Sequence, residues 1–302
     1  MTSTHLVTRA GAALLIATTL SCREPTPENT SCDGDWYEQF LLPAPAELAG
    51  DVSCWTPGEE VADNVDPRCQ TEASVEIQVT DYQDQVPVPG ASVTLFADDS
   101  LQGQSREVAM DDDGIVTETV LLCTPTSYRA TRPEGALPTT GVHEVFSPED
   151  PVEAHFQSIS EGSKSLLQLT FQKDIAPGNG AVAGRALGCD GEPLENAQVV
   201  VRDADCHVST DAYTGYFTNQ LPDLFRTSTS ADGVFAVLNV PPGDYTVELF
   251  APVPGRTAED PQPHVRAGSA TLTLEADGAT VVDVQLGHDD GLFYPAACSS
   301  CP

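Results

Sequence analysis

Cys298-Ser-Ser-Cys301 has the spacing of a redox pair. A dithiol of this spacing becomes reactive when it opens a helix, whose N-terminus lowers the attacking thiol's pKa. Only Pro302 follows it in this sequence, so a structural disulfide is the expected role. The acidic run in "MDDDGIVTE" invites a calcium reading. In a twelve-residue loop register with Gly114 at the turn, however, the first ligand falls on Ala109 and the bidentate acid on Val120. A hairpin turn at Asp113-Gly114 explains the run better. No His is followed three residues later by Glu, and His-Glu-x-x-His, Gly-x-Ser-x-Gly and the P-loop pattern are absent. Tyr245 remains, placed after the corner Pro241-Pro242-Gly243 where an alternating stretch resumes. It is there either as scaffold or to do chemistry.

The composition narrows the partners. The 302 residues are enough for two domains of ordinary size, each with its own core. There are 46 acidic residues against 13 basic ones, a formal net charge of -33. Such a chain repels phosphate backbones and anionic membranes, so nucleic acid is excluded as a partner. The acids are scattered along the chain, as on a solvated surface, and the aliphatic content is too high for a disordered chain.

The first 22 residues read as an export signal. His5 and Arg9 precede the apolar "AGAALLIATTL", whose 11 residues fall short of the ~20 that a membrane-spanning helix needs. The segment ends in "TLSC" and resembles a bacterial lipoprotein signal, with Cys22 at the lipidated position. Leu20 and Ser21 suit that resemblance, whereas Thr19 stands where Leu is usual and leaves ordinary signal-peptidase cleavage open. Arg23 after the cysteine implies, by the same resemblance, the outer membrane. The lipid would then be the contact with the membrane, and "REPTPENTS" a polar tether. Of the 9 cysteines, this leaves Cys32, Cys54, Cys69, Cys123, Cys189, Cys206, Cys298 and Cys301. An even number in an exported chain is expected to form disulfides, and eight cysteines allow 105 pairings.

The organisation expected is a signal over 1–21, a tether and disulfide-tied lead-in over 22–72, a first module over 73–175, a second over 178–288, and a Cys-containing tail over 289–302. "VEIQVTDYQDQVPVPGASVTLFADD" alternates, turns at Pro89-Gly90 and alternates again. "GAVAGRALGCDGEPLENAQVVVRDAD" parallels it. Gly90-Ala91 matches Asn196-Ala197, Asp113-Gly114 matches Asp232-Gly233, and Tyr128 matches Tyr245, with about 13 additional residues in the second copy. "LLQLTF" and "ATVVDVQL" are expected as the last strands of the two copies. Short strands, frequent turns and almost no helical periodicity predict an all-β chain of two tandem antiparallel β-sandwiches, transthyretin-like or Ig-like.

The motifs "GRALGCDGEPLENAQVVV", "TSADGVF" and "PPGDYTVEL" resemble the carboxypeptidase regulatory-like (transthyretin-like) domains. The first copy carries "VPVPGASVTL" and "DDDGIV", but "PTSY" replaces the Pro-Gly-x-Tyr corner. The resemblance covers roughly residues 73 to 288 and implies a sandwich without a particular activity. The second module also resembles intradiol ring-cleavage dioxygenases, which hold ferric iron with two tyrosines and two histidines. That resemblance implies Tyr216, Tyr245 and His264 as Fe(III) ligands, since phenolate and imidazole donors suit the ion. Arg266 occupies the second histidine position, and a permanent cation has no lone pair to give.

A binding surface is the other expectation. Tyr213, Tyr216, Phe217 and Phe225 cluster in the insertion of the second module, as an aromatic loop for a protein or glycan partner. Trp36 and Trp55 lie in the lead-in, where they stack on sugars or pack on disulfides. The sequence thus reads as a cell-surface lipoprotein with non-catalytic binding or structural β-sandwiches and no cofactor. The alternative is an intradiol dioxygenase-like iron protein, active or degenerate.

Overall fold

The computed structural model describes residues 47–53, 71–97, 101, 103–133, 137–144, 146, 153–203, 208, 211–252 and 264–287. The signal segment and Cys22, both tryptophans and Cys32, Cys54, Cys69, Cys206, Cys298 and Cys301 lie outside the described residues.

Strand β1 (Glu72–Asp81) alternates as its sequence requires, with Val75, Ile77 and Val79 fully buried on one face. It pairs antiparallel with β4 (Ile115–Leu121) and parallel with β7 (Glu153–Ser158). Facing this sheet are β2 (Ser92–Phe96), β3 (Ser105–Ala109), β5 (Thr126–Thr131) and β6 (Thr139–Glu144), in the order β3-β2-β5-β6. Val93, Leu95, Tyr128 and Phe156 fill the space between the layers.

The same order then recurs. Strand β8 (Gly180–Leu187) takes the place of β1, between β12 (Val234–Val240), antiparallel, and the parallel strands β15 (Ala279–Val281) and β16 (Val284–Gln285). The facing sheet is β9 (Gln198–Asp203), β13 (Gly243–Pro252) and β14 (His264–Leu274), in the order of β2, β5 and β6. The matched landmarks coincide in geometry. Gly90 and Asn196 have φ of 68° and 70°, and Gly114 and Gly233 have 75° and 67°. Both pairs sit in the left-handed region that glycine and asparagine tolerate. The extra residues of the second copy form β10 (Tyr213–Thr218) and β11 (Leu221–Asp223), a hairpin added to the free edge of β12.

"LLQLTF" is not a strand. It lies in helix α1 (Glu161–Phe171), opened by Ser160, whose hydroxyl accepts from the Ser163 N–H at 3.0 Å. Ser163, Leu167 and Phe171 recur every four residues and are buried, whereas Leu169 is 76% exposed. The helix lies on the outer face of β8, β10 and β12, where Ala181, Ala183 and Ala236 leave room for it. A Cβ on Gly215 would meet the Phe171 ring at 2.3 Å.

The copies are not separate. Strand β15 pairs with β8 on one side and, in parallel, with β6 of the first sandwich on the other, through Ala279↔Thr139, Thr280↔Thr140 and Val281↔Gly141. One sheet therefore runs β11-β10-β12-β8-β15-β6-β5-β2-β3 through both sandwiches. Its β11 edge is only three residues long and contains Pro222, which has no N–H to offer another strand.

Candidate functional site

The three residues of the iron reading do not converge. In the β13·β14 hairpin Tyr245 pairs with Leu272, and His264 pairs with Pro252 at the other end. Seven residues of strand separate Tyr245 from Pro252, about 23 Å at ~3.3 Å per residue. Tyr216 belongs to the opposite sheet, and its hydroxyl accepts the buried Val199 N–H at 2.9 Å. Burial pushes the pKa of Tyr216 up, and burial followed by the charge of Asp203 pushes up that of Tyr245. Both shifts disfavour the phenolate that a ferric site needs. Strand length thus puts Tyr245 and His264 at opposite ends of one hairpin, with Tyr216 in the other sheet.

The tyrosines hold the layers together instead. In the first sandwich Tyr128 of β5 accepts from the Gln157 N–H at 2.7 Å and donates to its carbonyl at 3.0 Å, joining one sheet to the other. Its ring stacks on Phe156 at 4.0 Å. Tyr216 makes the corresponding cross-layer tie in the second sandwich. The matched residue Tyr245 differs from Tyr128. It is buried, but among the described residues its hydroxyl has no hydrogen-bond partner. Tyr216→Phe, which strands the Val199 N–H, is therefore expected to cost about 1–3 kcal/mol. Tyr245→Phe should stay within about 0.5 kcal/mol. Urea denaturation of the two variants checks the difference.

The aromatic loop also divides. Tyr216 and Phe217 are core residues, 4% and 1% exposed, and Tyr213 packs on Phe171 at 5.5 Å. These three are not a recognition surface, because alternation in β10 and the cover of α1 take their rings inside. Phe225 alone of the four stands out, 90% exposed, near the exposed Leu221 and Leu224.

Arg266, the residue in place of a second histidine, has a structural partner. The outer face of the β9-β13-β14 sheet buries Glu248, which meets Arg202 Nε at 2.5 Å and Arg266 Nη1 at 3.5 Å. Glu248 and Arg202 are almost wholly enclosed, beside Val200 and Phe250. No sequence signal pointed to this triad. The three residues come from three different strands, and only the register brings them together.

A polar cleft of about 340 Å³ lies where the sandwiches meet, with Glu144, His155, Gln157, Arg185 and Asp283 among its lining. Tyr82 crosses it from the end of β1 to donate to the Phe235 carbonyl at 3.1 Å. Arg185 is held by Asp283 at 2.6 Å. His143 contacts the Thr271 carbonyl at 2.5 Å, and Arg129 pairs with Glu275, so both also join the two copies. Burial, followed by the charge of Asp283, pushes the Glu144 carboxyl up to about 8, against the opposing pull of Arg185 and His143. The folded protein therefore keeps a proton that the unfolded chain has lost between pH 4.5 and about 8. This contribution to stability is complete below the unfolded value, declines as pH rises through that window, and levels off above it. A single proton limits the slope to ~1.4 kcal/mol per pH unit. Glu144→Gln should flatten the decline, measured as unfolding free energy from pH 5 to 8.5.

No group of three or more metal-ligating side chains occurs among the described residues. No described helix is long and apolar enough to cross a membrane. Cys123 and Cys189 are each disulfide-bonded.

No protein family and no curated protein matches the sequence. Among solved structures the chain is similar to the Bacillus anthracis TIE protein, at 15% identity over 71% of this chain and 34% of that one, with a TM-score of 0.24. It is similar also to the shaft pilin SpaA of Lactobacillus rhamnosus GG, at 10% identity over 72% and 98% of the two chains and a TM-score of 0.23. The major pilin subunit of Bacillus cereus gives 10% identity over 72% and 99%, with a TM-score of 0.25. The chain thus spans about a third of the TIE protein's length. At TM-scores this low the likeness carries no argument, and the all-β sandwich architecture rests on the strand pairing itself.

Proposed function

We propose that the chain is a non-catalytic structural module of the cell envelope, exported and held at the outer membrane by a lipid on Cys22. The observation behind this reading is the sheet that passes through both sandwiches by way of β15 and β6. A shared sheet, cross-layer tyrosines and the Arg129–Glu275 ion pair at the junction make a stiff body from two copies of one fold. Such a body suits a spacer that presents its far surfaces away from a membrane. The carboxypeptidase regulatory-like motifs agree, because such sandwiches serve as add-on modules rather than as enzymes. A protein or glycan partner would meet the exposed Phe225, Leu221 and Leu224.

Three measurements test the reading. Cys22→Ser should release the protein from the membrane fraction into the soluble one, and a protein that stays membrane-bound refutes the lipid anchor. The soluble part from Glu24 onward, with its disulfides intact, should unfold in one cooperative transition. Two well-separated transitions would mean that the sandwiches are independent beads. Offered Fe(III), the same protein should stay colourless, and a tyrosinate-to-iron band lost in Tyr245→Phe would restore the enzymatic reading.

A further inference from the structure

We infer that copies of this chain join head to tail, with the Phe225 turn of one copy seated in an apolar pocket of the next. The turn and the pocket lie at opposite edges of the sheet that runs through both sandwiches. Phe225 follows β11 at one edge, and the pocket opens beside β3 at the other. Eight strand spacings of ~4.8 Å separate those edges, roughly 38 Å, so a copy does not fill its own pocket.

The turn is a fixed projection. Asp223 accepts the Phe225 N–H at 3.0 Å with one carboxylate oxygen and the Thr218 hydroxyl at 3.0 Å with the other. On the other side of the ring, Arg226 donates to the Ser228 and Thr229 carbonyls at 3.0 and 2.7 Å. Both flanking residues are thus held, and Phe225 stands almost fully exposed between them. Tyr213 and Phe217, by contrast, turn inward onto Phe171. A large ring presented on a preformed turn loses little freedom on binding, which is the property of an interface anchor.

The pocket has the matching character. It encloses about 320 Å³ between the two sheets of the first sandwich, where β3 and β4 are the edge strands. Leu95, Phe96, Val120 and Phe146 are its buried apolar lining, and Leu121, 42% exposed, stands at its mouth. A cavity of ~150 Å³ lined by such residues already holds benzene, so a phenyl side chain fits with room to spare. Arg106 supplies a polar rim. It donates to the Thr119 carbonyl at 2.7 Å, pairs with Glu118 at 3.1 Å and stays half exposed. The acid beside the entering ring is Asp223, so the charges at the rim are complementary.

The occupant is a second copy because one chain carries both halves of the contact. Elsewhere two bodies of net charge -33 repel, which confines the contact to this small apolar patch. Contacts of this size are weak in dilute solution and become effective where copies are crowded, as on a shared membrane surface. The inference names the partner of the Phe225 surface and rests on the envelope-module reading. Ring and pocket are different surfaces, so every joined copy still offers one of each. The contact then repeats into an open chain instead of closing as a two-fold dimer.

A photoreactive benzophenone analogue of phenylalanine in place of Phe225 tests this in the full-length protein on intact cells. Ultraviolet light should give dimers and higher multimers of this chain, with the cross-link mapped by mass spectrometry to residues 95–97 or 119–121. Leu121→Glu, at an exposed site, puts a charge in the apolar mouth. It should cut the multimers by about tenfold or more and leave Tm within about 1 °C. Copies carrying both Leu121→Glu and the photoprobe, made together with copies carrying Phe225→Asp, should give dimers alone, since one ring and one pocket remain between them. A cross-link to another protein, to lipid or to this chain outside the pocket overturns the inference, as do multimers that Leu121→Glu leaves unchanged. No product at all, with the Cys22→Ser protein still released from the membrane, overturns self-assembly and leaves the envelope reading standing. Failure of that release as well overturns both.

Discussion

Gly184→Ala is expected to destabilise the protein by at least about 3 kcal/mol and to lower Tm by on the order of 10 °C. Gly184 lies in β8 opposite Phe235, and its Cβ would stand 1.7 Å from the Val282 carbonyl oxygen and 3.1 Å from the Phe235 ring. Val282 occupies the break between β15 and β16, both of which pair with β8, and its own N–H is bonded to the Ala183 carbonyl at 2.9 Å. A side chain swings away from an intruding methyl group at small cost, but a carbonyl tied into a ladder on either side cannot. The clash therefore falls on the strand that joins the two sandwiches. Gly162→Ala is the control, because in α1 its Cβ meets nothing nearer than the Ser160 hydroxyl at 3.6 Å and alanine favours the helix. Thermal unfolding of the two variants side by side checks the expectation. A Gly184→Ala protein within 1 °C of the parent would mean that the β15–β16 break moves freely.

Glu248→Ala should be comparably severe, about 3–5 kcal/mol, because it removes the buried carboxylate 2.5 Å from the almost fully buried Arg202. Desolvating the two charges is a large cost in such a site, and the pair at 2.5 Å offsets part of it, as the Arg266 contact at 3.5 Å does for Glu248. The same reasoning gives the opposite sign for replacing the whole set. Arg202→Met, Glu248→Leu and Arg266→Met together should recover most of the loss, since an apolar trio of similar volume has no charge to desolvate. Chemical denaturation of the single and triple variants separates the two. A triple variant as unstable as Glu248→Ala would mean that shape, and not charge, governs this face.

The local features of the fold were legible in the sequence because they depend on neighbours along the chain. Alternation in "VEIQVTD" and "DYTVELF" marks strands with one buried face, and the turns at Gly90, Gly114 and Gly233 need the φ that glycine supplies. The repeat was legible for the same reason, since each copy reuses those turns at matched positions. "LLQLTF" escaped because six residues of mixed apolar pattern fit either period. What decides for helix is the Ser160 cap and a burial stripe that begins at Ser163, a polar residue.

The sequence by itself determined the all-β class, the alternation of strands such as β1 and β13, and the glycine turns. Only the tertiary structure decided the site. Tyr245 and His264 are 19 residues apart in a pattern that resembles a metal site, yet strands of 10 and 11 residues carry them to opposite ends of one hairpin. Arg266 reads as a missing ligand until the register sets it against Glu248. The junction strand β15 is three residues, too short to announce that it pairs with both sandwiches. Each of these outcomes depends on which strands lie side by side and in what register. Pairing between distant segments sets that, and the local pattern leaves it open.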